Sequence, residues 1–453
     1  MAGNDTSLGE IGDGDAESGN RPGVGRRLVS AVRGDRVYRT SVLLIGDNLA
    51  LGLLGGLLTL IVARHWSPAA IGVVAAITGA LGPLTTAAAL GLPSTVVAYL
   101  AGERDQALAL RGALTAVVGV GVILLAIVWF LPHHLGLPVS RLGLAAPVAL
   151  AMLAAYVACS LIVAVCDPAF LARQEVGWTV GKDMTSMAVR YAAMLALIGS
   201  GARGLFLIAL IYACTAAIID LALIRWRLHR APRPRFTLGF HWLRTHARFA
   251  GGAQVATLVA MLPTSLLPVF VLARLGATSA GFVAVAMQIL GVLTIVPSMT
   301  ASSLFAELAA HPDGFLEPIR KALRAAYLVT LPLALLMVVA APLILGLFGP
   351  VYAEHSVGFL RWGAAGSVFF CFNYVSDIVL LGRKRVAAYV VVNVAGTVAV
   401  LVSVWVALGF GLDALGPGWF VGQAGYCVVS IIVLARYVGV RKLPATFAAM
   451  VLP

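Results

Sequence analysis

Residues 167–176 read DPAFLARQEV, and 210 positions further along, residues 377–386 read DIVLLGRKRV. Each decapeptide sets an Asp six residues before an Arg, with a Leu between them and a Val three residues beyond the Arg. The same offset superposes Ala63-Arg64 on Ala273-Arg274, Arg111 on Lys321, Pro132 on Pro342, and Leu135-Gly136-Leu137 on Leu345-Gly346-Leu347. Coincident Leu or Ala carries little weight in an apolar chain. Coincident Asp, Arg and Pro at one spacing point to an internal duplication.

The sequence around these segments is built for hydrocarbon. Of the 453 residues 60% are hydrophobic and 11% charged, against about 25% charged in soluble domains, and mean hydropathy is +0.97. Apolar runs long enough to cross a bilayer at ~20 residues each recur from Ser41 to Arg436. We read twelve spans, at about 41–63, 71–92, 110–131, 142–166, 184–200, 204–224, 250–273, 280–302, 324–347, 359–381, 386–408 and 415–435. The fold class expected is therefore an all-α polytopic membrane protein. Soluble enzymes and nucleic-acid-binding domains are excluded, despite a net charge of +13.

The charge is topological. With the amino terminus inside, the segments on that side hold 26 Lys and Arg, including Arg173, Lys182, Arg383 and the stretch Arg225–Arg248. The other side holds five: Arg64, Arg141, Arg203, Arg274 and Arg361; Arg190 lies within a span. A bias of 26 to five places both termini in the cytoplasm of a bacterial cell membrane by the positive-inside rule. Residues 1–39 read as a disordered cytoplasmic tail, acidic and then basic, with no signal-peptide pattern.

Six spans per repeat, an even number, give both halves one orientation, so the expected plan is two parallel, pseudo-symmetric six-helix lobes. The N-lobe takes residues 40–224 and the C-lobe 250–436, with a basic cytoplasmic linker at 225–249 and a cytoplasmic tail at 437–453. In the linker Phe236, Phe240, Leu243 and Ala247 keep helical spacing while His241, Arg244 and Arg248 fall off that face. It reads either as an interfacial helix gripping anionic headgroups or as a solvated connection. Cys159, Cys166, Cys214, Cys371 and Cys427 all fall in apolar runs without CxxC spacing and read as packed thiols, with no metal site and no cofactor.

The segment LTLIVARHWSPAAIGVVAAITGALGPLTTAAALGLPSTVVAYLAG, residues 58–102, resembles the opening of the polysaccharide-transport and O-antigen flippase family. Residues 272–309, 347–370, 380–397 and 409–417 follow that family's order in the second half, so the resemblance covers nearly everything beyond residue 40. It implies the multidrug, oligosaccharidyl-lipid and polysaccharide exporter superfamily, and export of a lipid-linked saccharide by alternating access, without enzymatic chemistry. The partners implied are the lipid-linked saccharide, membrane lipids and the polymerase or glycosyltransferases of envelope synthesis, with no nucleic acid. Lipid II flippases of the superfamily carry fourteen spans against the twelve read here. A cation-coupled multidrug antiporter on the same plan is the main rival; a membrane enzyme or assembly partner is the other.

Charges inside a bilayer cost roughly 2.5–3.5 kcal/mol each on insertion scales, so each needs a reason. Asp47, Asp167, Arg190, Asp220 and Asp377 fall within spans. Asp167 with Arg173 and Asp377 with Arg383 read as an inner gate, and Asp220 stands five residues before Arg225, close enough to snorkel. Polar and small residues form stripes at helical spacing: Asn48 with Gly52, Gly55 and Thr59; Thr78, Gly82 and Thr85; Gln254, Thr257, Met261 and Thr264; Gln288, Gly291, Thr294 and Ser298. These four spans line the cleft in the superfamily resembled, so Asp47, Asn48, Gln254, Thr257 and Gln288 are expected along a substrate or ion pathway; Arg190 joins them with the other intramembrane charges, which read either as lining a water-filled vestibule in the cytoplasmic half or as gate and packing charges. Small residues at such spacing also suit close helix packing. Arg64 and Arg274, repeat equivalents at the outer ends of two spans, read either as exit residues for a phosphate or as interfacial anchors.

Overall fold

The computed structural model describes residues 36–100, 106–130, 138–173, 175–227, 237–310, 316–383 and 385–438. Among them are fourteen α-helices and no strands. In chain order these are α1 (Arg36–His65), α2 (Pro68–Ala88), α3 (Leu92–Tyr99), α4 (Gln106–Phe130), α5 (Ala146–Ala172), α6 (Val176–Ala196) and α7 (Gly201–Arg227). Then follow α8 (Thr237–Leu275), α9 (Ala277–Ala310), α10 (Leu316–Phe348), α11 (Pro350–His355), α12 (Val357–Gly382), α13 (Val386–Ala407) and α14 (Leu412–Val438). Omitting the short α3 and α11 leaves twelve long helices. Eleven of them are long and apolar enough to cross a membrane; α6 is the other, because Lys182, Asp183 and Arg190 interrupt it.

The duplication is visible in backbone detail. Helix α5 closes with Arg173 N–H donating to Ala169 O at 3.2 Å and Glu175 N–H to Phe170 O at 2.9 Å. Helix α12 closes with Arg383 N–H donating to Val379 O at 3.0 Å and Arg385 N–H to Leu380 O at 2.9 Å. Every one of these residues is displaced by the offset of the repeat. The fifth span differs from the sequence expectation of 184–200: α6 starts at Val176, one residue after this turn, and so carries Lys182 two turns into a helix rather than in a connection. That removes Lys182 from the cytoplasmic tally.

Several helices exceed the hydrocarbon thickness. At 1.5 Å per residue, the 39 residues of α8 span about 58 Å, roughly twice a ~30 Å core. Its first turns cover most of the expected linker, so residues 237–249 continue the span as one helix. The tails 1–35 and 439–453 lie outside the described residues.

The two lobes meet mainly through α2, which packs against α8 and α9. Ser67 caps α2, its Oγ accepting from Ala70 N–H at 3.3 Å, and Pro68 occupies the first turn, where no N–H is needed. The turn sets the start of α2 against α9. A Cβ on Gly72 would run into the backbone of Ala277 and Gly281, and one on Gly281 into the backbone of Pro68. Helix backbones approach this closely only where side chains are missing. At the end of the bundle marked by Arg64, the lobes are therefore closed. The opposite end, marked by Arg36, is where α2 breaks: Leu90 at φ 52° and Gly91 at φ 68° separate α2 from α3.

Candidate functional site

Helix α6 turns one polar face into the first lobe. Thr179, Lys182, Asp183 and Ser186 are buried there, and Arg190 follows at the next helical position. Lys182, 2% exposed, sends its ammonium between three carboxylates. It bonds Asp167 on α5, lies 3.3 Å from its neighbour Asp183, and lies 3.6 Å from Asp220 on α7. Asp47, buried on α1, belongs to a helix that packs against α6. Three acidic groups thus surround one ammonium in a membrane span. Ion pairs this deep hold because the partners satisfy one another, since an unpaired ion would bear the full desolvation cost.

The expected pairings are redistributed. Asp167 takes Lys182 rather than Arg173, because α6 folds back along α5 and brings Lys182 beside it. Arg173 instead donates to Gln106 Oε1 at 2.6 Å and pairs with Glu175 at 3.4 Å. Asp220 likewise faces Lys182 and not Arg225. Arg190 lies with its guanidinium carbon 4.9 Å from the centre of the Tyr212 ring. Next to it Tyr191 OH donates to Leu54 O of α1 at 2.6 Å.

The second lobe repeats the position and changes the chemistry. At the repeat offset Asp167, Lys182, Asp183 and Asp220 become Asp377, Val392, Asn393 and Ser430. Asn393 Nδ2 donates to Asp377 at 3.1 Å, and Asn393 Oδ1 accepts from Tyr426 OH at 2.8 Å. Ser430 OH donates to Asn373 Oδ1 at 3.3 Å. Asp377 is thus held by an amide. One lobe carries an ion-paired knot and the other a carboxyl held by hydrogen bonds.

Between the lobes, at the Arg36 end, lies a cavity of ≈ 180 Å³. Thr85, Thr86 and Gly91 come from around the break after α2, Ser160 from α5, and Gln254 and Thr257 from α8. Gln254 crosses the lobe boundary to hold that break: its amide NH₂ donates to Thr86 O, and its Oε1 accepts from Gly91 N–H at 2.6 Å. Thr86 OH adds a 2.8 Å contact to Met261 Sδ. Gly91 N–H thereby finds its acceptor across the seam, and Thr86 O, which also accepts from Ala89 N–H, gains a second donor.

The remaining expected residues fall around this core. Gln288 of α9 faces α1, where a Cβ on Gly55 would lie 3.8 Å from its Nε2; Asn48 and Thr257 are exposed in the bare chain. Arg64 crosses to the second lobe, its Nε donating to Leu347 O in the last turn of α10 at 2.8 Å, where a cation also suits the helix dipole. Arg274 stays within its own lobe, its guanidinium 3.9 Å above the Trp405 ring. The repeat equivalents thus do different things. Of the five cysteines, all free, Cys159 and Cys214 face each other at 3.5 Å between α5 and α7.

Residues 61–357 match the model of a polysaccharide biosynthesis protein family. The chain belongs to this family. No curated protein matches it in sequence. Among solved structures it is similar to the lipid II flippase MurJ in an inward closed conformation, at TM-score 0.68 and 11% identity over 86% of this chain and 87% of that one. It is also similar to a multidrug resistance MATE family transporter of the MOP superfamily. The inward-facing form gives TM-score 0.63 at 14% identity over 86% of this chain and 95% of that one. The outward-facing form gives 0.59 at 14% identity over 92% and 99%. Identities this low speak for the fold alone.

In this polysaccharide biosynthesis protein the sequence reading missed Lys182 and Asp183 as members of the intramembrane cluster. A signal was present. Thr179, Lys182, Asp183, Ser186 and Arg190 follow one helical face, but reading the span from 184 cut that face in two. Tyr191 and Tyr212, which flank Arg190, gave no such signal, since aromatic residues are unremarkable in apolar spans.

Proposed function

We propose that the protein flips a polyprenyl-(pyro)phosphate-linked saccharide from the inner to the outer leaflet, the two lobes rocking about a polar site while the lipid tail stays in the bilayer. The observation that carries this reading is the cavity at the Arg36 end of the lobe seam, lined in part by Thr, Ser and Gln side chains, set against the glycine-packed closure at the Arg64 end. Family membership in polysaccharide biosynthesis and the exporter fold support it. The balance of Lys and Arg assigns the Arg36 end to the cytoplasm, so the cavity opens where the substrate is made. An anionic headgroup leaving a negative-inside cell gains ~2.3 kcal/mol per charge per 100 mV, which drives export without ATP. Nothing in this scheme requires bond-making chemistry, so the reading is a transporter rather than an enzyme. Reconstitution in liposomes tests it: a defined lipid-linked sugar should equilibrate between leaflets faster than in protein-free vesicles, and an unchanged sidedness refutes the proposal.

A second reading is a cation-coupled antiporter of the same fold. It is favoured by the burial of two carboxyls, Asp47 on α1 and Asp183 on the neighbouring α6, which are able to hold and release a proton. Drug sensitivity unchanged in a deletion strain counts against that reading, as does substrate flipping that is indifferent to a proton gradient.

A further inference from the structure

Two of the five free cysteines face each other. Cys159 Sγ–H donates weakly to Cys214 Sγ at 3.5 Å, joining α5 to α7. Each of these helices has 27 residues and each cysteine is the fourteenth, so the pair sits about 20 Å from either end, at the middle of both spans. Both are half-buried. Cys166, Cys371 and Cys427 are buried instead, and among the described residues they make no sulfur–sulfur contact. At the repeat offset Cys159 and Cys214 become Phe369 and Ala424. The second lobe also carries a cysteine on each equivalent helix, Cys371 on α12 and Cys427 on α14, but sealed in its core at 0% and 6% exposed. Contact and access therefore coincide in the first lobe alone.

The place of the pair decides what it can do. Asp167 lies eight residues beyond Cys159 and Asp220 six beyond Cys214, about 12 Å and 9 Å along the two axes, and both pair with Lys182 of α6. Helices α5 and α7 are thus tied through α6 toward the Arg36 end, while at mid-span they meet through a weak thiol contact. Ser160, next to Cys159 in the chain, lines the seam cavity. The two sulfurs stand about 1.5 Å beyond the ~2.05 Å of a disulfide, a gap that side-chain rotation closes. Glutathione and other charged, water-soluble reagents do not enter hydrocarbon at this depth. Whatever oxidant meets these thiols must dissolve in the bilayer.

We propose that Cys159 and Cys214 form an oxidative modification site, at which a lipid-soluble quinone converts the dithiol to a disulfide that clamps α5 to α7. Two S–H bonds break and one S–S bond forms; the quinone takes the two electrons and two protons and leaves as the hydroquinone. The closed loop contains all of α6, and with it Lys182, and the tie fixes the part of the cavity wall that Ser160 contributes. Alternating access needs the helices around the cavity to move, so a covalent tie on one of them slows it. The site itself is independent of the flippase reading, whereas the slowing of transport rests on it.

The test treats the full chain in liposomes with decylubiquinone, whose fully substituted ring resists thiol addition, then denatures it and alkylates with N-ethylmaleimide before mass spectrometry. The protein should lose two hydrogens, with Cys159 and Cys214 unalkylated in one crosslinked peptide pair and Cys166, Cys371 and Cys427 alkylated. Flipping of a lipid-linked sugar should fall at least about threefold and return on adding dithiothreitol. Cys159→Ser and Cys214→Ala, the second matching what the other lobe carries at that position, should each flip at the untreated rate and respond to neither reagent. Alkylation of all five cysteines after quinone, a disulfide that only copper–phenanthroline forces, or flipping slowed equally in the cysteine variants overturns the site. A complete disulfide with flipping unchanged overturns the clamp. Untreated protein that does not flip the lipid-linked sugar overturns the parent reading instead, and the mass and alkylation pattern then still decides the site.

Discussion

Replacing Lys182 by Met keeps the length of the side chain and removes its charge from among Asp167, Asp183 and Asp220. At an effective dielectric of about 20, unit charges separated by the 3.3 Å and 3.6 Å seen to Asp183 and Asp220 attract by about 5 kcal/mol each. The bond to Asp167 is at least as strong. These attractions do not sum to stability, because the carboxylates repel one another and all the groups lose hydration on burial. Truncating one partner of a buried ion pair costs about 3–5 kcal/mol. Lys182→Met should fall in that range, measured by chemical unfolding in micelles with tryptophan fluorescence as readout. Asp220, 0% exposed and ion-paired with Lys182, is the natural second site. Lys182→Met combined with Asp220→Asn should be at least about 1 kcal/mol more stable than the two single effects added together, since the double variant leaves one fewer unpaired charge. A Lys182→Met protein as stable as the parent, or strict additivity in the double variant, would refute the view that the ammonium holds this knot together.

Four further outcomes are expected. Gly281→Val, which drives a branched side chain into the Pro68 backbone, should lower the yield of folded protein and its thermal stability sharply, whereas Gly56→Ala, with nothing within 4 Å, should change both by less than about 0.5 kcal/mol. Leu90→Val should cost about 1–2 kcal/mol because a β-branched residue fits poorly at φ 52°, while Leu90→Asn should be tolerated there; unfolding midpoints distinguish them. In the second lobe Asn393→Leu should cost about 2–4 kcal/mol by stranding Asp377 and Tyr426, and Tyr426→Phe only about 1 kcal/mol. Arg64→Ala should lower stability by no more than about 1 kcal/mol, since its bond to Leu347 O is exposed, yet should raise the reactivity of a single cysteine introduced at the neighbouring seam by loosening the lobes at that end.

The contrast between the lobes is a consequence of duplication followed by divergence at single positions. The backbone turn after Asp167 and after Asp377 is the same, bond for bond. Yet Lys182 faces one and Asn393, beside Val392, faces the other. An ammonium among three acids ties α5, α6 and α7 electrostatically; an Asn between Asp377 and Tyr426 ties α12, α13 and α14 by hydrogen bonds. The difference concentrates charge in one lobe, so any ion or proton exchange would act on that lobe's helices alone.

Much of this architecture could be read from the chain alone. Span number, the repeat offset and the six-plus-six plan follow from hydropathy and from coincident Asp, Arg and Pro, because a bilayer forces every crossing segment into a long apolar helix and duplication preserves register. The intramembrane acids were legible for the same reason, since any charge in such a segment stands out. Their partners were not. Pairing by sequence distance joined Asp167 to Arg173 and Asp220 to Arg225, whereas the ion that binds both arrives on a third helix. Likewise Gln254 read as one member of a polar stripe, while its role at the break after α2 depends on an element more than 150 residues away.

What the amino-acid sequence determined by itself is the one-dimensional part: which segments enter the membrane, how often, and in two copies. The tertiary structure decided which side chains share a space. Helical periodicity fixes the face a residue occupies, but the neighbour of that face is chosen by packing between helices distant in the chain, where a missing Cβ at Gly72 or Gly281 determines how near two backbones come and so whether a seam is closed or hollow.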